Sequence, residues 1–232
     1  MKRENIEIIV SEQSLYDGFN SFIMSDDVKV FGKLLARTLL FESVKNIPGD
    51  IVECGVFKGS GIYSFLKLKR YLCPNTSKKV IGFDMFNSEE LINSLKSVDK
   101  EAMSELFNGR NFKHEQNYKN YLEANILSNG FLPHEFELIQ GDISKTALKY
   151  VEENPGFKIS LLYLDLDLGE PTYDTLCALW DRVSVGGLVI FDEYGYAKWS
   201  ESEGVDRFFK DKNIEIISLN YICPTAYVKK IV

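Results

Sequence analysis

The residues best suited to chemistry in this chain are carboxylates that close apolar runs. Asp165 and Asp167 follow Ile159-Ser-Leu-Leu-Tyr-Leu164, and Asp192 and Glu193 follow Val185-Gly-Gly-Leu-Val-Ile-Phe191. Neighbouring strands lie about 4.8 Å apart, so acids ending two adjacent strands can converge on one cation. Several oxygens, with no cysteine or histidine nearby, suit Mg²⁺, or else Mn²⁺ or Ca²⁺. Side chains two apart on a strand share a face. Asp165 and Asp167 therefore both enter the site if the strand runs that far. If it ends at Asp165, Asp167 turns away, for example as a helix cap.

A second chemical feature is Gly49-Asp-Ile-Val-Glu-Cys-Gly-Val-Phe-Lys-Gly-Ser-Gly61, followed by a helix pattern over Ile62–Leu72. A strand feeding a helix through Gly55, Gly59 and Gly61 lets the backbone approach a ligand without Cβ atoms in the way. Glu53 at the strand end repels phosphate and suits a cationic or hydroxyl-rich ligand. The combination points to a nucleoside-type cofactor without a pyrophosphate. Asp84 closes Val80-Ile-Gly-Phe83 about thirty residues later, where a doubly wound fold offers a carboxylate to a ribose.

These groups need a scaffold, and the patterning supplies one. Apolar strand runs at 50–53, 80–84, 136–142, 159–165 and 185–192 alternate with helical segments. Ile214–Ser218 and Ala226–Ile231 can pair as a terminal hairpin. The pattern predicts an α/β sheet of about seven strands, with ligands beyond the carboxyl ends of the strands. Residues 1–47 form an N-terminal helical region, in which Phe22, Val30, Leu34, Leu35, Leu39 and Leu40 recur at helical intervals and Ser25-Asp26-Asp27 caps the second helix. It serves either as a flap over the glycine turn or as a core-packing helix pair. Residues 87–130 are longer than a plain crossover needs. This largely helical insertion, with Phe107, Arg110, Phe112, His114, Tyr118 and Tyr121, suits a lid or substrate wall.

Composition sets the bounds. The chain has 232 residues, 45% hydrophobic and 26% charged, with formal net charge -7. One domain with a full core is expected. The acidic balance and the absence of a long basic run argue against nucleic acid as a main partner. No apolar run approaches the ~18–20 residues that span a bilayer, and Met1-Lys-Arg-Glu-Asn-Ile-Glu7 lacks the apolar core of a leader. A cytoplasmic protein without membrane partners is the expectation. Cys54, Cys73, Cys177 and Cys223 show no paired spacing, which predicts neither a zinc site nor disulfides. His114 and His134 read as surface residues, and Trp180 and Trp199 as packing residues.

Taken together, Glu53-Cys-Gly-Val-Phe-Lys-Gly59, Gly82-Phe-Asp84, Leu164-Asp-Leu-Asp-Leu168 with Glu170-Pro-Thr172, and Gly186-Gly-Leu-Val-Ile-Phe-Asp-Glu-Tyr194 resemble the macrocin-type O-methyltransferases. These are class I S-adenosylmethionine enzymes that methylate sugar hydroxyls. The resemblance spans about Asp50 to Phe209. It implies a Rossmann-like sheet with its last strand antiparallel, bound S-adenosylmethionine, and a divalent metal such as Mg²⁺. It places Glu53, Gly55 and Gly59 on the methionine side of the cofactor, with Phe57, Ser60 and Gly61 of the same turn in the contact set. Asp84 would meet the ribose and Asp142 the adenine. Asp165, Asp192 and Glu193 would hold the metal, with Asp165 or Asp167 as the base and Asp165 slightly favoured. The sequence departs from common patterns at Phe57, where many class I enzymes have glycine, and at Glu193, which is commonly a second aspartate. The implied partners are a small-molecule or glycan hydroxyl acceptor and, through the N-terminal helices, a second copy of the chain.

Rival readings remain open on sequence alone. Asp165 and Asp167 could serve a metal-dependent nucleotide-sugar glycosyltransferase, although Glu53 and the glycine turn then lack a task. The spacing Gly55-x-x-x-Gly59-x-Gly61 does not match the Gly-x-Gly-x-x-Gly dinucleotide fingerprint. A cofactor-binding protein without catalysis is the non-enzymatic alternative.

Overall fold

The computed structural model describes residues 12–110, 112–114 and 117–231; the reading of Met1–Glu7 lies outside the described residues. Chain order is α1 (Glu12–Ile23), α2 (Val28–Val44), β1 (Asp50–Cys54), α3 (Ser60–Leu72), β2 (Val80–Asp84), α4 (Ser88–Ser94), α5 (Ser97–Gly109), α6 (Tyr118–Ser128) and β3 (Phe136–Gln140). It continues through α7 (Ile143–Glu153), β4 (Ile159–Leu164), α8 (Gly169–Leu179), β5 (Val183–Phe191), α9 (Glu201–Phe209), β6 (Ile217–Ser218) and β7 (Ala226–Lys229).

One sheet has the order β3-β2-β1-β4-β5-β7-β6. β1 to β5 are parallel, and β7 runs antiparallel to both β5 and β6. The expected sheet of seven strands with an antiparallel last strand is therefore present, as is a helical insertion (α4–α6) between β2 and β3. Strand alternation sorts the core into two layers. Val52, Cys54, Phe83, Leu162, Leu164, Val189 and Phe191 face α7–α9, whereas Ile51, Val80, Leu161, Tyr163, Leu188 and Ile190 face α2, α3 and α6. Both layers bury β4 completely, which is why its sequence is a continuous apolar run. α8 and α9 meet backbone to backbone: a Cβ on Gly204 would lie 2.1 Å from the Gly169 carbonyl oxygen.

The N-terminal helices divide the two roles offered by the sequence. Asp27 caps α2 by accepting from the Val30 N–H, and the C-terminal half of α2 buries Ala36, Leu40, Phe41 and Val44 in the second layer. α1 buries nothing. Leu15, Tyr16, Phe19, Ile23 and Met24, with Val28, Phe31, Leu34, Leu35 and Leu39, form an exposed apolar band. The periodic leucines of α2 are thus only partly core, because its inward face is shared with Arg37, itself 5% exposed.

Candidate functional site

Register brings the acids to one level. Cys54 lies opposite Leu164, and Leu164 opposite Phe191. The ladder extends one step further, with the Asp165 N–H on Cys54 O at 2.8 Å and the Asp192 N–H on Leu164 O at 3.0 Å. Across the sheet the strand ends present Asp142, Asp84, Glu53, Asp165 and Asp192 in spatial order. The glycine turn abuts this row. Gly55 has φ 91°, and a Cβ there would strike the Asp165 carbonyl oxygen at 1.9 Å. Gly61, in the first turn of α3, leaves room for the Glu53 carboxylate, which a Cβ would meet at 1.6 Å.

Cations from α2 enter the row. Lys33 Nζ sits 2.6 Å from Asp165 Oδ2 and 2.8 Å from Asp192 Oδ2. Lys29 reaches Glu193 at 3.3 Å. Arg37 bonds Glu53 at 3.0 Å, lies 4.0 Å from Asp165, and stacks over the Tyr163 ring. Asp192 also accepts from the Tyr163 hydroxyl and the Cys223 thiol. Glu201 accepts from the Glu193 N–H at 3.1 Å. The expectation of no cysteine near the acids is overturned: the chain returns through β6 and the β6–β7 loop, and Cys223 Sγ lies against Asp192.

Six carboxyl groups (Glu53, Asp165, Asp167, Asp192, Glu193 and Glu201) face three cations (Lys29, Lys33 and Arg37), and proton affinities respond. Burial pushes Glu53 up to about 7, with Arg37 opposing and Asp165 adding to the rise. Burial and Asp192 raise Asp165. Burial, then Asp165, Glu193 and Asp192, raise Asp167 well above the carboxylate range. Burial and Asp192 likewise raise Glu193 and, more strongly, Glu201. For Asp192 burial is outweighed by Lys33 and by its two hydrogen-bond donors, so its pKa is lowered. Burial would lower Lys33, but Asp165 and Asp192 outweigh it and raise that ammonium well above its ordinary value.

Asp167 resolves differently from either alternative read in the sequence. β4 stops at Leu164, so strand alternation does not carry Asp167 inward. The N-cap of α8 is Leu168, so Asp167 is not the cap. It occupies a left-handed turn at φ 63°, and its carboxylate has no hydrogen-bond partner among the described residues.

The glycine-turn side of the site is braced from the insertion. Asp84 accepts from the Phe57 N–H at 2.9 Å and the Phe86 N–H at 2.7 Å, holding Phe57 at φ 51°. His114 is half-buried, which corrects the reading of it as a surface residue. It contacts Ser88 at 3.0 Å and the Phe57 carbonyl at 3.1 Å, among the rings of Phe57, Phe86, Phe107, Phe112 and Tyr118. The Leu122 side chain fills the space beside Gly59 (φ 91°), and Ser60 is exposed at the start of α3. Asp142 caps α7 through the Ser144 N–H at 3.1 Å and pairs with Lys145. His134 is exposed, and Trp180 packs on Phe208 and Phe209.

The donor chemistry fits both implied groups. Glu53 Oε2 is buried beside the glycine turn without a hydrogen-bond partner among the described residues, an acceptor suited to an ammonium group such as that of a methionine moiety. Asp192, Glu193 and Cys223 bring two hard oxygens and a thiol within 4.8 Å of one another, a group that does not include Asp165, and Glu193 Oε2 is buried without a hydrogen-bond partner among the described residues. Lys29, Lys33 and Arg37 went unread in the sequence. Their i, i+4, i+8 spacing puts them on one helix face, in line with buried Phe41 and Val44 rather than opposite them, and that alignment was the available signal.

Comparison with known proteins gives concordant results. The macrocin O-methyltransferase family model matches residues 36–226. A Streptomyces olivaceus protein named 8-demethyl-8-(2,3-dimethoxy-alpha-L-rhamnosyl)-tetracenomycin-C 4'-O-methyltransferase is 31% identical over 150 residues, 64% of this chain and 54% of that one. The demethyldecarbamoylnovobiocin O-methyltransferase of Streptomyces niveus is 28% identical over 166 residues, again 64% and 54%. The matches thus span about half the length of these curated relatives. A solved calicheamicin methyltransferase superposes with TM-score 0.76 at 24% identity, covering 95% of this chain and 86% of that one. The apo structure of a TDP-rhamnose 3'-O-methyltransferase gives 0.73 at 25%, covering 95% and 87%.

Proposed function

We propose that this chain, which belongs to the macrocin O-methyltransferase family, moves a methyl group from S-adenosylmethionine to a hydroxyl of a sugar or glycosylated small molecule. One observation carries the reading. The glycine turn after β1 and the acids after β4 and β5 share one mouth, with Gly55 pressed on the Asp165 backbone and Arg37 bridging Glu53 toward Asp165. A sugar acceptor is supported by the rhamnose named in two similar proteins.

The chain's own groups divide the work. Bound S-adenosylmethionine would supply an electrophilic methyl, and a divalent ion held by Asp165, Asp192 and Glu193 would orient a hydroxyl and lower its pKa. Glu53, fixed by Arg37, would receive the methionine ammonium, while Asp84 shapes the turn under the ribose. Asp165 is already engaged by Lys33. Asp167 has no hydrogen-bond partner among the described residues, which supports Asp167 over Asp165 as the group that takes the hydroxyl proton. Positioning a neutral acceptor beside the donor provides much of the remaining acceleration. The exposed apolar band of α1 and α2 supports a homodimer, which light scattering on the purified chain would test.

The deciding experiment titrates S-adenosylhomocysteine and nucleoside diphosphates separately, then assays labelled methyl transfer to a panel of glycans and nucleotide sugars. S-adenosylhomocysteine binding with transfer to a sugar hydroxyl is expected. Binding of a nucleoside diphosphate alone would replace the reading with a glycosyltransferase. Cofactor binding without transfer would leave a non-catalytic binder.

A further inference from the structure

We propose that Lys33 is a built-in cation standing in the divalent ion's place, so that an ion enters between Asp165 and Asp192 only by displacing it. The inference rests on the reading of Asp165, Asp192 and Glu193 as cation ligands. Lys33 Nζ lies 2.6 Å from Asp165 Oδ2 and 2.8 Å from Asp192 Oδ2, the two oxygens through which a hard cation would bridge these strands. Such ions need oxygens at about 2.0–2.6 Å, which leaves no room for an ammonium between the same atoms. The site nonetheless keeps capacity for a cation. Glu193 is 5% exposed and its Oε2 has no hydrogen-bond partner among the described residues.

Displacement is sterically cheap. The Lys33 side chain is 22% exposed, and its flexible four-carbon stem can swing the ammonium into water. Arg37 and Lys29 keep their own partners, Glu53 and Glu193. The exchange also has a mechanical side. The N-terminal half of α2 carries exposed Val28, Phe31, Leu34 and Leu35, and Lys29 and Lys33 tie it to the carboxyl ends of β4 and β5. Loading an ion therefore loosens that half of α2, and docking of α2 weakens ion binding by the same factor.

The test is calorimetric titration of Mn²⁺ alone into the unaltered chain and Lys33→Met. Lys33→Met is expected to bind Mn²⁺ about 5–150-fold more tightly, the range of ordinary coupling between sites. Equal or weaker affinity, or no binding by either protein, overturns the proposal. A second measurement needs no variant: amide hydrogen exchange over residues 28–36 of the unaltered chain should quicken when Mn²⁺ saturates it. Unchanged exchange with the ion bound also overturns the proposal. S-adenosylhomocysteine affinity and methyl transfer are read separately, so their loss would refute the methyltransferase reading while leaving the ion competition standing.

Discussion

Two lysines are held among the ends of the same parallel strands, and their surroundings differ in kind. At the amino ends, Lys78 is 8% exposed and donates to the carbonyls of Ile47 and Gly49 and to the Ser160 hydroxyl. Its partners are neutral, and burial lowers its pKa. At the carboxyl ends, Lys33 sits between two carboxylates and its pKa is raised. The amino end is satisfied by its own groups. The carboxyl end is not: Arg37 Nε, Glu53 Oε2, Glu193 Oε2 and Glu201 Oε2 are buried without hydrogen-bond partners among the described residues. A buried polar atom left unpaired costs about 1–3 kcal/mol, so the contrast separates a structural clip from a mouth built to receive something.

That contrast can be broken by substitution. The largest effect is expected from Asp167→Asn, with turnover falling about 10²–10⁴-fold and S-adenosylhomocysteine affinity unchanged in calorimetry. Retained turnover would remove Asp167 from the chemistry. Next comes Gly55→Ala, where a left-handed φ and the 1.9 Å approach to Asp165 O should cost at least about 4 kcal/mol in urea unfolding. Lys78→Met should cost about 1–3 kcal/mol while leaving cofactor binding intact; a change in that binding would mean the two ends are not independent. The smallest signal is a slope. Between pH 4.5, the ordinary value for a glutamate, and about 7, folded Glu53 keeps a proton that the unfolded chain has lost. Stability therefore falls as pH rises through this window, by up to ~1.4 kcal/mol per pH unit. Glu53→Gln should remove that contribution, as read from urea midpoints across the window.

What the sequence disclosed follows the same division. Strands announced themselves because both faces of β4 are buried and its residues are uniformly apolar. Acids at strand ends were visible because they interrupt such runs. Long-range closure was not visible. Lys33 meets Asp165 and Asp192 across more than half the chain, and basic residues at helical spacing ordinarily mark a solvated face. Cys223 gave no local signal either, since only the antiparallel return of β7 beside β5 carries its loop to Asp192. Asp167 depended on a single backbone angle: with the strand ending at Leu164, a positive φ decides where its carboxylate goes, and alternation has no say.

The backbone contact between Gly169 and Gly204 has its own consequence for the entrance. With no side chain between them, α8 and α9 have almost no compressible material to give way, so that flank behaves as a fixed jamb. The opposite flank, α2, hangs partly on exchangeable charges. Ligands of different girth should therefore be accommodated asymmetrically, with superposed complexes agreeing at the jamb and diverging along α2.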